Sequence, residues 1–334
     1  MTAKKVLGQY FTIKDLWLKP QVVKFIEKSN CSIAYDPFAG NGDLLRALLG
    51  IGNISEIRGM DIDAKLDWEI NDSLQAIPRI SNAIIITNPP YLAKYSAKRK
   101  NIYHEVEYYF KHSGFVDIYQ LAIYNCLHSA DYLVAILPET FLNSGLEYLN
   151  RLSQITVLEE NPFGDTENPV CVACFDKTAK NYEDIKVYKN EEYICTLDDL
   201  EKKRLQPRFN TSITFNQADG QIALRGVDSA NAQNPISFMR DDQLDYDSSL
   251  ISHSSRLITR ISIEEDLVPY VDEIVSASNK LLNQYRTETS DLLLSPFKGN
   301  QKNGIRRRRL DYKSARAILE MAIQKVNGDG VGGF

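Results

Sequence analysis

Histidine and cysteine are scarce, with four and five copies in 334 residues. The cysteines (Cys31, Cys126, Cys171, Cys174 and Cys195) are odd in number and dispersed. Only Cys171 and Cys174 have ligand spacing, and no second pair or nearby histidine completes a zinc site. They also sit in the apolar run Val170–Phe175, so core thiols are the better reading and no metal is expected. No stretch approaches the roughly 18 apolar residues of a membrane span. The opening Met1–Gly8 lacks the apolar core of about 7–15 residues that marks a secretory signal. A cytoplasmic protein without membrane contact is therefore expected. An excess of positive charge is missing too: the net charge is −5. That argues against a protein that coats nucleic acid nonspecifically, and leaves open one that uses a local basic surface.

What is present is an ordinary globular composition, 43% hydrophobic and 25% charged, with a length that suggests two domains. Residues 1–180 alternate apolar runs with helical patterns, the signature of a largely parallel α/β sheet. Helices are expected at Pro20–Glu27, Asp43–Leu49 and Asp117–His128. Strands are expected at Ser32–Asp36, Ser55–Asp61, Asn82–Thr87 and Tyr132–Leu137, with Ile155–Glu159 and Val170–Asp176 finishing the sheet as its antiparallel edge. Residues 181–334 are more polar. There Ile213–Gln217 and Gln221–Arg225 flank Ala218-Asp219-Gly220, a hairpin signal, and helical periodicity returns at Glu264–Leu282 and Tyr312–Val326.

Two local motifs carry chemistry. Asp36-Pro37-Phe38-Ala39-Gly40-Asn41-Gly42-Asp43 follows a strand and opens a helix, where glycines let the backbone approach a ligand. The spacing is not that of a pyrophosphate cradle, and an acid before the glycines suits a cationic amino-acid moiety better than phosphate. The next strand ends Gly59-Met60-Asp61-Ile62-Asp63. Asp61 is placed to accept both hydrogen bonds of a ribose diol, with Asp63 competing and a helix cap as the plainer role. Asp72, beside Ser73, is a candidate acceptor for an adenine amino group or a simple cap.

The second motif is Asn88-Pro89-Pro90-Tyr91, directly after the buried Ile84-Ile85-Ile86. Two prolines fix the backbone and remove two donors while leaving the carbonyls. The result is a rigid acceptor pair, the Asn88 side-chain oxygen and the Pro89 carbonyl, suited to an exocyclic amine. Tyr91 offers a flat face for a base that has left its stack. Phe163, in Asn161-Pro162-Phe163-Gly164, is the candidate for the opposite face, with core packing as its equal alternative.

In this order the motifs resemble the γ-class amino-methyltransferases of DNA restriction–modification systems. The match runs from Gly8-Gln9-Tyr10-Phe11-Thr12 to about residue 176. The resemblance implies a Rossmann-like S-adenosylmethionine-dependent methyltransferase sheet followed by an α+β target-recognition domain. It further implies that Tyr10, Phe11, Thr12, Asp36, Phe38, Gly40, Gly42, Asp61, Ile62, Asp72 and Ser73 bind S-adenosylmethionine. Asn88–Tyr91 would methylate adenine N6 in double-stranded DNA by direct SN2 transfer, serine at the first position being usual for cytosine N4. A cognate restriction endonuclease is implied as a functional rather than a physical partner. Two basic clusters are expected to hold DNA: Lys94, Lys98, Arg99 and Lys100, then Arg306, Arg307, Arg308 and Arg309; a solvated face is the plainer role of each. Protein glutamine and RNA adenine methyltransferases share this chemistry and remain alternatives.

Overall fold

The computed structural model describes residues 15–143, 150–163, 167–217, 219–246 and 257–330. The chain divides into two compact units, Met1–Asp198 and Asp199–Phe334.

The first unit opens with α1 (Pro20–Ser29), which carries proline in its first turn and ends on Asn30 in the left-handed region. That is how helices starting at Pro and stopping at a positive-φ cap are built. Its Val22, Phe25 and Ile26, one helical face, pack with Leu45, Leu48, Ile84 and Ile86 in the main core. The chain continues through β1 (Ile33–Asp36), α2 (Asp43–Arg46), β2 (Glu56–Asp61), β3 (Glu69–Ile70) and β4 (Ala83–Thr87). Then come α3 (Lys94–Arg99), α4 (Tyr103–Ser113), α5 (Ile118–Ser129), β5 (Tyr132–Pro138), β6 (Leu152–Val157), β7 (Val170–Phe175), β8 (Lys186–Lys189) and β9 (Glu192–Thr196). These strands form one sheet in the order β3-β2-β1-β4-β5-β7-β6-β8-β9.

β1 pairs in parallel with β2 and β4, and β4 with β5. β4 and β7 are buried at every position, as their unbroken apolar runs require of strands covered on both faces. Cys171 and Cys174 are therefore core thiols on β7.

One expectation needs correction here. β7 is antiparallel to β5 and β6 as read from the sequence, but neither β6 nor β7 is the edge. β8 pairs in parallel with β6, and β9 turns back on β8, so the sheet runs on past residue 180 to Thr196. The division of the chain falls at Asp198, within twenty residues of the boundary expected near 180. The half-exposed, polar alternation of β8 and β9 hides them from a search for buried runs.

The second unit follows α6 (Leu197–Lys202), which crosses the division. It holds a four-stranded antiparallel sheet of β10 (Thr214–Phe215), β11 (Ile222–Arg225), β12 (Ser237–Arg240) and β13 (Ile258–Ser262), in the order β10-β13-β11-β12. The expected hairpin between Ile213–Gln217 and Gln221–Arg225 does not form, because β13 inserts between those strands. Gly220 serves that insertion: a Cβ there would lie 2.5 Å from the Ile261 nitrogen. α7 (Val271–Glu288), the two-stranded ribbon β14 (Ser295–Asn300) with β15 (Arg306–Arg309), and α8 (Tyr312–Gly330) complete the unit.

Candidate active site

A cavity of about 280 Å³ opens beyond the carboxyl ends of β1, β2 and β4, where open α/β sheets place their ligands. Its lining includes Asp36–Asn41, Asp43, Asp61, Ile62, Asp72, Ser73, Asn88 and Pro90, so the two sequence motifs converge on one space. It also includes Glu105, Val106 and Tyr109 of α4, for which no sequence motif gave a sign. Five lining residues are acids (Asp36, Asp43, Asp61, Asp72 and Glu105), and among the described residues no lysine, arginine or histidine lines it. A wall of one charge sign selects cations and repels phosphate.

The glycine loop is held from both sides. Asp61 accepts the Gly40 N–H on one carboxylate oxygen and the Asp63 N–H on the other, each at 2.9 Å. The bond to Asp63 is the turn-making role of an acid at a strand end, and Asp61 is also part of the cavity wall. Trp68 reaches over the loop and donates its indole N–H to the Gly40 carbonyl at 2.9 Å. The ring fits because Gly42 and Gly59 lack side chains: a Cβ at either would lie 2.5 Å from it. Gly42 also needs its freedom, standing at φ +79°.

Asp36 is buried at the end of β1, its carboxyl accepting the Phe38 N–H at 2.9 Å. Burial pushes this carboxyl up to about 7; the Thr87 hydroxyl and Phe38 N–H pull it back and the nearby Asp61 adds to the rise. Such a group ionises readily once a cation arrives beside it. Ile62 projects from the wall at 57% exposure, leaving an apolar face for a flat ring.

Asp72 is occupied in a countable way. One oxygen accepts the Leu74 N–H at 3.2 Å; the other accepts the Gln75 amide at 2.6 Å and the Tyr109 hydroxyl at 2.8 Å. A carboxylate offers about four lone-pair sites, so one is left, enough for a single amino proton.

At the catalytic motif, Asn88 Oδ1 accepts from the Tyr91 hydroxyl, which also lies 2.7 Å from the Ile136 carbonyl on β5. Pro89 is buried and, unlike Asn88 and Pro90, is not part of the cavity lining; its carbonyl accepts no hydrogen bond among the described residues. Asp117, the N-cap of α5, accepts the Leu92 N–H at 3.0 Å and so ties the segment after Tyr91 to that helix.

The structure does not bring every candidate here. Tyr91 is held by its hydroxyl, stands edge-on to Tyr119 and packs on the main core, and it does not line the cavity. Phe163 is a buried member of that core, which is the packing role. Tyr10, Phe11 and Thr12 lie outside the described residues. Of the first basic cluster, Lys94 lies on α3 and Lys98, Arg99 and Lys100 are exposed at its end, with Lys98 over the Tyr103 ring. The second cluster is split by the pleat of β15. Arg306 and Arg308 are 2% and 1% exposed, so they cannot meet DNA, while Arg307 and Arg309 face the other side.

The first unit is an α/β fold around a nine-stranded mixed sheet whose centre is parallel, and a mixed α and β unit follows it. The model of the Eco57I restriction-modification methylase family matches residues 60–161, which include Asn88–Tyr91. No curated protein matches the chain. Among solved structures, a chain described as a class I S-adenosylmethionine-dependent methyltransferase from Listeria monocytogenes is 14% identical, with a TM-score of 0.39 over 57% of this chain and 68% of its own. A type I restriction-modification methyltransferase subunit from Streptococcus thermophilus is 16% identical, with a TM-score of 0.39 over 58% of this chain and 53% of its own. A type I restriction enzyme modification subunit from Vibrio vulnificus is 15% identical, with a TM-score of 0.41 over 55% and 47%. The likeness thus spans about half the length of those two subunits and concerns the fold alone. No helix among the described residues is long and apolar enough to cross a membrane.

Proposed function

We propose that this protein is a site-specific DNA methyltransferase that modifies adenine N6, the modification enzyme of a restriction–modification system. The observation that carries the reading is the meeting of Asn88 and Pro90 with Asp36, Asp61 and Asp72 in one acid-lined cavity. S-adenosylmethionine fits that lining and supplies a methyl group on a positively charged sulfur. Asp36 and the Gly40–Gly42 loop take its amino-acid end, Asp61 its ribose, and Ile62, Asp72 and Ser73 its adenine. Asn88 Oδ1 and the Pro89 carbonyl would accept hydrogen bonds from the two N–H groups of the target amine, which draws its lone pair out of the ring toward the methyl group. As the N–C bond forms the methyl–sulfur bond breaks, the sulfonium leaves as a thioether, and the surplus proton on nitrogen passes to solvent. These acceptors are fixed before substrate arrives, so no reorganisation is needed as positive charge grows on the nitrogen. Reaching the amine requires the base to leave the duplex, at a cost of a few kcal/mol of stacking. Neither Tyr91 nor Phe163 supplies a stacking face within the cavity.

The test is uptake of label from S-adenosylmethionine into duplex DNA, total RNA or release factor, followed by location of the modified base. Label in DNA adenine, lost in Asn88→Ala, is the expected result. Label only in RNA or in a glutamine side chain overturns the reading.

A further inference from the structure

The second unit holds both paired and unpaired cations, and the ribbon β14–β15 with its turn gathers four of the unpaired ones in one place. Arg204, Arg240, Arg260 and Arg286 each face an acid: Glu201, Asp242 and Asp272, Asp241, and Asp228 with Asp291. On the ribbon, Lys298, Lys302, Arg307 and Arg309 have no acidic partner among the described residues. In a chain with net charge −5 these cations stand uncompensated. Arg307 is also held in place: its Nε donates to the Asp228 carbonyl at 2.8 Å and its guanidinium lies 4.7 Å from the centre of the Phe297 ring. Its two terminal nitrogens make no hydrogen bond within the described residues, which leaves a fixed, open fork.

Beside the ribbon lies the loop Ser229-Ala230-Asn231-Ala232-Gln233-Asn234, exposed from Ala230 onward. Its start runs along β15, with Asp228 N donating to the Arg308 carbonyl and Lys302 N to the Ala230 carbonyl, both at 3.0 Å. Beneath both segments sits Asp228, 1% exposed. Its carboxylate accepts both ends of the Arg286 guanidinium, at 2.9 and 3.0 Å, with the Ile236 N–H at 2.9 Å and the Arg308 N–H at 3.0 Å. Burial pulls Arg286 down, but its bonds to Asp291 and Asp228 carry it above its ordinary range, so it stays charged. A fully bonded buried carboxylate fixes the ribbon and the loop relative to each other.

Resting on the proposed DNA methylation, we propose that this composite surface reads the target sequence. The amides of Asn231 and Gln233 contact base edges, and Lys298, Lys302, Arg307 and Arg309 hold the flanking phosphates. The chemistry matches: a two-stranded ribbon enters the major groove, amides pair with adenine N6 and N7, and an arginine fork holds phosphate oxygens. Amides that read and cations that position are separable by experiment.

The wild-type chain first methylates unmodified genomic DNA, and sequencing gives its site. Two variants are then compared, N231A/Q233A and K298A/K302A/R307A, each checked for an unchanged melting curve; every substituted side chain lies at the surface or half-buried. The amide variant is expected to lose about tenfold or more of its preference for the site over one-base mismatches. Its salt dependence of binding stays the same. The cation variant is expected to weaken binding to all duplexes alike and to lower the slope of log K against log salt by about 0.9 for each phosphate no longer neutralised. Unchanged site preference in the first, or an unchanged slope in the second, overturns the inference, as does a loss seen with duplex RNA and not with DNA. If the wild type leaves DNA unlabelled, it is the proposed function that fails.

Discussion

Replacing Gly59 by alanine tests how the cofactor loop is built. A Cβ on Gly59 would lie 2.5 and 2.6 Å from two Trp68 ring atoms and 2.8 Å from the Ala39 Cβ. Nothing real packs that closely, so the indole must move, and its hydrogen bond to the Gly40 carbonyl goes with it. Overpacking costs about 1–3 kcal/mol. The broken hydrogen bond adds about 0.5–1.5 kcal/mol. A loss of roughly 2–4 kcal/mol lowers the melting temperature by about 5–15 °C for a unit of this size. Urea unfolding of four proteins (wild type, Gly59→Ala, Trp68→Ala and the double variant) measures it. The two losses should fall short of adding by about 1 kcal/mol or more, since alanine at 59 no longer meets an indole once Trp68 is gone. The clash with Ala39 keeps the double variant below Trp68→Ala alone. A Gly59→Ala protein that melts with the wild type, or strictly additive losses, would refute the close packing of loop, strand and indole.

Asp36 sets a pH dependence. Its carboxyl is raised to about 7, so the free protein loses stability as pH climbs from the ordinary carboxylate range to about 7, where the folded chain finally gives up the proton. A cation bound beside it favours the ionised form. Binding of S-adenosylmethionine near pH 6 should therefore release a proton, and near pH 8 none, which calorimetry in two buffers of different ionisation heat reads directly; equal heats in both buffers at pH 6 would sink this assignment. Tyr109→Phe removes one of the three side-chain bonds that orient Asp72. Donor affinity should drop about 2–10-fold, and preference for the adenine over the 6-oxo form of the donor should narrow; competition binding that shows no change in either counts against the pairing.

The parts of the site that were legible in the sequence are those written in consecutive residues. A glycine loop between strand and helix, and an Asn-Pro-Pro-Tyr after a buried strand, encode backbone geometry locally, and both reached the cavity. Trp68, Glu105 and Tyr109 did not announce themselves. They arrive from a loop and from α4, at spacings no local pattern fixes, and only folding brings them to the wall. The arginine run failed for a different reason. Four like charges suggested one exposed arm, yet a strand sends alternate side chains to opposite faces, so Arg306 and Arg308 turned inward. The missed pairing of β10 and β11 shows the limit of turn signals, since Asp219-Gly220 was read as a corner while a distant strand claimed the place between them.

The acid-lined cavity also bears on turnover. In the proposed reaction the donor enters as a sulfonium and leaves as a thioether with no charge on sulfur, so the carboxylates of the wall attract its spent form less. The wall thereby acts as a one-way bias in ligand exchange, favouring fresh donor over product at equal concentration. Its strength is the ratio of the two dissociation constants, and it should shrink as salt screens the acids nearest the mouth.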